Sequence, residues 1–303
     1  MGNILDELAD YARLRVEQAK TQKPLEQIRE EALAVYRAER TVASDDQAFD
    51  TDKTSTAAGP LDDGKSADMA ATRRDFAFER ALSEGNEIHF ICECKKASPS
   101  KGLIAPHFPY LDIAREYEAA DASAISVLTE PKWFLGSLDY LQEIAGEVKI
   151  PCLRKDFTVD PYMIYEAKTA GASAILLIAA LLDTKTIEEY LQIADQLGLS
   201  AIVEAHDEAE VASAVAARAR IIGVNNRNLK DFTVDIRNSI RLRSLAPSDV
   251  IFVAESGIRT PEDVETLRQN GVNAVLIGEQ LMRAEGPGRE LARLRGDCAE
   301  ALP

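Results

Sequence analysis

Ala170-Gly171-Ala172-Ser173-Ala174-Ile175 returns in altered form as Leu197-Gly198-Leu199-Ser200-Ala201-Ile202 and as Asn270-Gly271-Val272-Asn273-Ala274-Val275. In each copy a glycine follows a helical pattern, where a left-handed residue ends a helix, and the chain then drops into an apolar, β-branched run. Eight such runs stand along the chain: Ile88–Cys94, Ser123–Leu128, Ile150–Leu153, Ala174–Ile178, Ala201–Val203, Ile221–Val224, Val250–Ala254 and Ala274–Ile277. They are spaced roughly 20 to 35 residues apart, with helical patterns such as Thr186–Leu197 and Pro261–Asn270 between them. Strands that alternate with helices run parallel. Eight of them, with no GxGxxG after the first, predict an α/β fold closed as a (β/α)₈ TIM barrel and not an open doubly wound sheet.

Ahead of the barrel, Ile4–Lys20 and Pro24–Arg40 read as two extra N-terminal helices, with Pro24 suited to a first helical position. The stretch from Ser44 to Asp68 then carries seven Asp against two Lys, with Phe49 and Leu61 as its only large apolar residues. It buries too little to offset its ordering entropy and is expected to be a mobile acidic loop. The domain expectation is one barrel over 1–303, with residues 1–40 as helical extension and 88–300 as strands and helices, and no second barrel after the eighth helix.

A net charge of −16 and a pI near 4.8 disfavour nucleic acid and anionic membrane as partners. The cations that bind any anionic substrate must therefore be local. Met1–Lys20 lacks the basic-then-apolar pattern of a signal peptide, and no run is long enough to span a bilayer. Cys92, Cys94, Cys152 and Cys298 lack CxxC spacing and read as small hydrophobes in a reducing cytoplasm.

In a parallel barrel both strand faces are buried, so charges belong at strand ends, and functional ones at the C-terminal ends. The first strand ends in Glu93 and Lys95, the third in Arg154, Lys155 and Asp156, the fifth in Glu204, the sixth in Asn225 and Arg227, and the seventh in Glu255 and Ser256. Alternation puts Glu93 and Lys95 on one face with Cys92 and Cys94 on the other, and it pairs Asn225 with Arg227. One such pair would be a salt bridge closing the barrel; five strands repeating the pattern point to a site. Ser256-Gly257 and Gly278, after the last two strands, lie where barrels cradle phosphate with backbone N–H groups, and Ser98 and Lys101 approach from the opposite rim.

The segments Glu93-Cys-Lys-Lys-Ala-Ser-Pro-Ser-Lys-Gly102, Ala124-Ile-Ser-Val-Leu-Thr-Glu130, Leu153-Arg-Lys-Asp-Phe157, Val203-Glu204, Gly223-Val-Asn-Asn-Arg227 and Val253-Ala-Glu-Ser-Gly-Ile258 resemble the indole-3-glycerol phosphate synthase family over nearly the whole chain. The resemblance implies a ring closure without metal or organic cofactor, on 1-(2-carboxyphenylamino)-1-deoxyribulose 5-phosphate. Lys155 then looks like the general acid and Glu204 like a carboxylate that stabilises the cationic intermediate or takes a proton. Glu93 and Lys95 form an adjacent acid–base pair, and Asn225 belongs with these catalytic groups. The division of proton transfers among them is left open. Arg227 and Asn225 would orient the substrate, Ser256, Gly257 and Gly278 match phosphate positions, and Ser98 joins them. Phe134 and Phe157 would wall the aromatic ring, although either fits a core role equally on pattern. Two departures stand out: the length of Ser44–Asp68, and a carboxylate, Glu279, beside the second phosphate loop. The three histidines, His89, His107 and His206, match no catalytic position. The expected partner is a phosphorylated small molecule, and the expected state a monomer or weak homo-oligomer. The rival readings are a Schiff-base aldolase using Lys155 or Lys95, and a non-catalytic barrel that senses or docks through a phosphate pocket.

Overall fold

A computed structural model describes residues 4–49, 76–85, 87–228 and 233–297, with the backbone alone for 42–49. Eight parallel strands close a barrel: β1 His89–Cys94, β2 Ala124–Leu128, β3 Cys152–Lys155, β4 Ala174–Ile178, β5 Ser200–Ala205, β6 Ile221–Asn225, β7 Ile251–Glu255 and β8 Ala274–Ile277. Each pairs with the next in sequence and β8 pairs back onto β1, so the expected barrel is present. Ahead of it run α1 (Ile4–Gln22), α2 (Leu25–Phe49) and the short α3 (Ala77–Ala81). The helices between and after strands are α4 (Tyr110–Ala119), α5 (Leu138–Glu147), α6 (Pro161–Thr169), α7 (Thr184–Gln196), α8 (Glu208–Ala216), α9 (Arg237–Arg243), α10 (Pro261–Gln269), α11 (Glu279–Arg283) and α12 (Pro287–Arg295).

Several boundaries differ from expectation; the fifth strand, expected over Ala201–Val203, spans Ser200–Ala205. The third strand begins at Cys152 and reaches Lys155, two residues beyond the expected end, because ladder pairing with β2 outweighs the charge of Arg154 and Lys155. The second helix continues to Phe49, so residues 44–49 of the acidic stretch are helical; the rest of that stretch lies outside the described residues.

The repeat that announced the barrel is a helix-ending motif used more widely than the glycines show. After α6, α7 and α10 the left-handed residue is Gly171, Gly198 and Gly271; after α4 and α8 it is Asp121 and Arg218, with φ of 57° and 63°. All five make the same paired bonds back into the helix, such as Gly171 N–H to the Lys168 carbonyl and Ala172 N–H to that of Ala167. A non-glycine there costs about 1 kcal/mol, which the buried residue that follows each of them offsets. The opposite ends are capped by side chains: Asp160, Asp183, Asp207 and Thr260 each accept a backbone N–H of the helix they start.

Strand alternation divides the core in two. Phe90, Cys92, Cys94, Val203 and Phe252 face the surrounding helices. Ile91, Leu153, Ile202, Ile221 and Val253 fill the barrel, which α3 plugs from below with Phe78 and Leu82 and α1 approaches from above with Leu5. Cys92, Cys94 and Cys152 are buried and unpaired, and burial raises all three thiol pKa values. Among the described residues no helix is long and apolar enough to cross a membrane.

Candidate active site

The alternation that puts Ile91, Leu153, Ile202 and Val253 inside the barrel carries Glu93, Lys155, Glu204 and Glu255 inward one layer higher. Above them lies a cavity of about 420 Å³, within the range of small-molecule sites. Its wall contains all twelve residues picked out from the sequence: Glu93, Lys95, Ser98, Phe134, Lys155, Phe157, Glu204, Asn225, Arg227, Ser256, Gly257 and Gly278. These come from seven strands and their loops. Ile4, Leu5 and Leu8 of α1 close one side.

At the floor Lys155 Nζ lies 3.4 Å from Glu204 Oε2 and 3.7 Å from Glu255 Oε2. Burial alone would lower the Lys155 pKa, but the carboxylates of Glu204, Glu255 and Glu93 outweigh it and hold the ammonium above the ordinary lysine value. Burial would raise the Glu204 pKa, yet Lys155, His206 and Asn225 hold this carboxylate below its usual range. Glu255 moves the other way: burial and the neighbouring Glu204 charge push it up, against Lys155. The floor thus keeps a cation, an ionised carboxylate and a carboxyl that resists ionisation within a few ångströms, the pattern of divergent pKa values that acid–base sites use. Beside them Glu93 and Lys95 form an ion pair.

Two glycines make room for these groups. A Cβ on Gly223 would collide with the Glu255 carboxylate, and one on Gly278 with the Glu93 carboxylate and, at 2.9 Å, with Lys95 Nζ. The chain just after Lys155 is anchored by a buried network. The next residue, Asp156, is buried and accepts two bonds from Arg15 of α1 (3.0 and 2.6 Å), one from Thr129 Oγ1 (2.6 Å) and the Phe157 N–H (2.8 Å). That network ties the covering helix to the end of β3.

The two ends of the cavity differ in chemistry. Phe134 and Phe157 stand with ring centroids 6.1 Å apart at an apolar end. Phe134 is set by the buried Glu130 carboxylate, which accepts the N–H groups of Lys132, Trp133 and Phe134. At the other end Arg227, Arg259 and Arg283 line the wall beside the turn Ser256-Gly257. Both turn residues are left-handed, with φ of 67° and 86°; serine is strained there, and the Asn226 amide secures the turn by donating to the Ser256 carbonyl at 3.1 Å. Glu279 lies 3.2 Å from Arg283, 3.5 Å from Lys101 and 3.7 Å from Arg227, so its charge is already offset. In a protein of net charge −16, three arginines thus line one end of the cavity.

The family model of indole-3-glycerol phosphate synthase matches residues 38–294. The chain belongs to the indole-3-glycerol phosphate synthase family. It is similar to the indole-3-glycerol phosphate synthase of Ruminiclostridium cellulolyticum, 64% identical over 232 residues, which are 77% of this chain and 89% of that one. The corresponding protein of Endomicrobium trichonymphae is 46% identical over 292 residues, 96% of this chain and 99% of that one. A solved phosphoribosylanthranilate isomerase from Thermotoga maritima shares the fold, with a TM-score of 0.51 at 15% identity over 69% of this chain and 99% of that one.

Sequence reasoning on this synthase-family chain left out Glu255 as a site residue, although strand parity with Val253 was enough to aim it inward. It also left out Ile4, Leu5 and Leu8, and Arg259 and Arg283, which no local pattern separates from other helix or loop residues.

Proposed function

We propose that this cavity carries out the decarboxylating ring closure of 1-(2-carboxyphenylamino)-1-deoxyribulose 5-phosphate to indole-3-glycerol phosphate, carbon dioxide and water. The observation that carries the reading is the Lys155 side chain, buried within 4 Å of Glu204 and Glu255 on the floor of a cavity lined by Phe134 and Phe157 and by Arg227, Arg259 and Arg283. The substrate has the same order of parts: an aromatic ring, a ketone and a phosphate. Phe134 and Phe157 receive the ring; Ser98, Arg227 and the backbone of Ser256, Gly257 and Gly278 receive the anionic groups.

With the ends so held, the ring carbon that bears the carboxylate faces the ketone carbon, and its attack puts negative charge on the ketone oxygen. Lys155 donates a proton to that oxygen; a preorganised cation beside a developing alkoxide is worth several kcal/mol. Carbon dioxide then leaves with return of aromaticity. The nitrogen lone pair then expels the new hydroxyl, which leaves as water with a proton from a neighbouring acid; the ionised Glu204 stabilises the cationic nitrogen so formed and takes from the adjacent carbon the proton whose loss completes the indole. Glu93 with Lys95 supplies the second proton-transfer pair, Asn225 orients the substrate beside Glu204, and Glu255, protonated more readily than an ordinary carboxyl, adds a donor on the floor. A Schiff-base aldolase needs a neutral amine, and Lys155 is held in the opposite state.

The setting we propose is the cytoplasm, with the protein acting as a monomer or weak homo-oligomer on a phosphorylated small molecule, apart from membrane and nucleic acid. The test is to add the carboxyphenylamino-deoxyribulose phosphate to the folded protein in phosphate-free buffer and follow indole fluorescence. Turnover is expected; its absence would sink the proposal.

A further inference from the structure

His206 lies outside the cavity wall, two residues past Glu204, where β5 passes into α8. Its side chain is 17% exposed and stands between two carboxylates. On one side Nδ1 is 3.2 Å from Glu210 Oε2, and the same oxygen accepts the His206 backbone N–H at 2.7 Å. On the other side Nε2 is buried without a hydrogen bond and faces Glu204 Oε1 at 3.5 Å. Asn238 of α9 fixes the backbone by donating to the His206 carbonyl at 3.1 Å.

A neutral imidazole fits this place badly. It has one donor and one acceptor, and both neighbours are acceptors; a buried ring nitrogen facing a carboxylate without a proton is repelled and unsatisfied. An imidazolium has two donors, one for each carboxylate. Burial alone would lower the pKa of this ring, but the bond to Glu210 and the charges of Glu204, Glu210 and Glu255 together raise it. Glu204 itself meets Lys155 from β3, Asn225 from β6, Glu255 from β7 and His206 from its own strand. Lys155 approaches its Oε2 and His206 its Oε1, so the two cations fix the plane of the carboxylate from opposite sides.

We propose that His206 is a positioning residue for the reaction: an imidazolium, anchored by Glu210, that keeps Glu204 ionised and turned toward Lys155. The inference rests on the proposed role of Glu204. His206 touches no substrate and transfers no proton; it sets the state of the group that does.

Removing the imidazolium should make Glu204 easier to protonate, so the carboxylate is lost at higher pH. In His206→Gln the acid limb of the kcat profile should move up by about one pH unit. KM should stay within about twofold, and kcat should fall several-fold on the acid limb and recover toward the wild-type value at neutral pH. Glu210→Gln leaves the ring in place with a weaker anchor and should move the limb the same way by less. In the wild-type protein, nitrogen-15 and carbon-13 NMR should find His206 as an imidazolium at pH 7, where an ordinary histidine of pKa about 6.5 is mostly neutral. A neutral ring at pH 7 would overturn the proposal, as would pH profiles of both variants that superimpose on wild type. If His206→Gln does not fold, Glu210→Gln and the wild-type NMR still decide. Failure of the wild-type protein to turn over substrate would instead remove the reading of the pocket, and the ring's charge would remain a separate measurement.

Discussion

Two buried glutamates, at opposite ends of the same barrel, are treated in opposite ways. Glu79 on α3, under the barrel, is fully buried; both its oxygens accept from Arg220 Nε at 3.0 Å, and Ser200 Oγ donates to it at 3.2 Å. Arg220 is in turn shared with Asp195 and lies over the Phe76 ring, 4.4 Å from its centroid. Glu255, over the barrel, is as deeply buried, yet one oxygen has no hydrogen bond and the other is 3.7 Å from Lys155, with Glu204 and Glu93 repelling its charge. Charge is satisfied where only the fold depends on it and left partly unsatisfied where chemistry is proposed. A buried ion pair that is complete holds a plug in place; an incomplete one stores a displaced pKa.

The largest effect is expected at Lys155. Lys155→Ala should lower kcat by about 10³-fold, in the range for loss of a positioned acid, while KM changes far less. Equal losses in both, in steady-state assays by indole fluorescence, would place Lys155 with the binding groups. At the lower end Glu79→Ala should leave Arg220 without its buried partner and destabilise the fold by about 3 kcal/mol in urea titrations, with kcat of the folded protein unchanged. A loss of kcat at full stability would erase the contrast between the two ends. Gly278→Ala should cost activity about tenfold, since its methyl displaces the Glu93–Lys95 pair, while stability stays within about 1 kcal/mol.

Glu255→Gln sharpens the comparison by the sign of its effect. The folded pKa of Glu255 is raised from 4.5 to about 8, so as pH rises the unfolded chain releases this proton first. Its favourable contribution is complete below the unfolded value and is lost as pH climbs through the folded one. The neutral amide has no such loss. Glu255→Gln should therefore stay within about 1 kcal/mol of wild type in stability near pH 5 and exceed it by up to about 4 kcal/mol near pH 8, while turnover falls. Denaturant midpoints at the two pH values measure this, and a variant less stable than wild type at pH 8 would show that Glu255 is as well compensated as Glu79.

Local rules reached much of this molecule. Eight β-branched runs alternating with helices imply parallel strands, and strand parity aimed Glu93, Lys155 and Glu204 at one another without any coordinates. Those rules are short-range: a side chain's face follows from its neighbours two residues away. They failed where a residue's role depends on a group distant in sequence. Asp121 and Arg218 hide the helix-ending motif because burial of the next residue, and not the turn residue itself, carries it. Leu5 comes to the site from the far N-terminal helix, and His206, which matches no catalytic position, meets Glu204 through a side-chain direction that spacing alone leaves undecided.

The amino-acid sequence by itself determined the barrel, the layer of charged strand ends and the family, because periodicity and residue type act over a few positions. Tertiary structure alone decided which of those charges are compensated. Whether a buried carboxylate meets a guanidinium at 3.0 Å or an ammonium at 3.7 Å depends on elements far apart in sequence that only the closed barrel brings together. Electrostatic energy varies steeply over that interval when water is excluded.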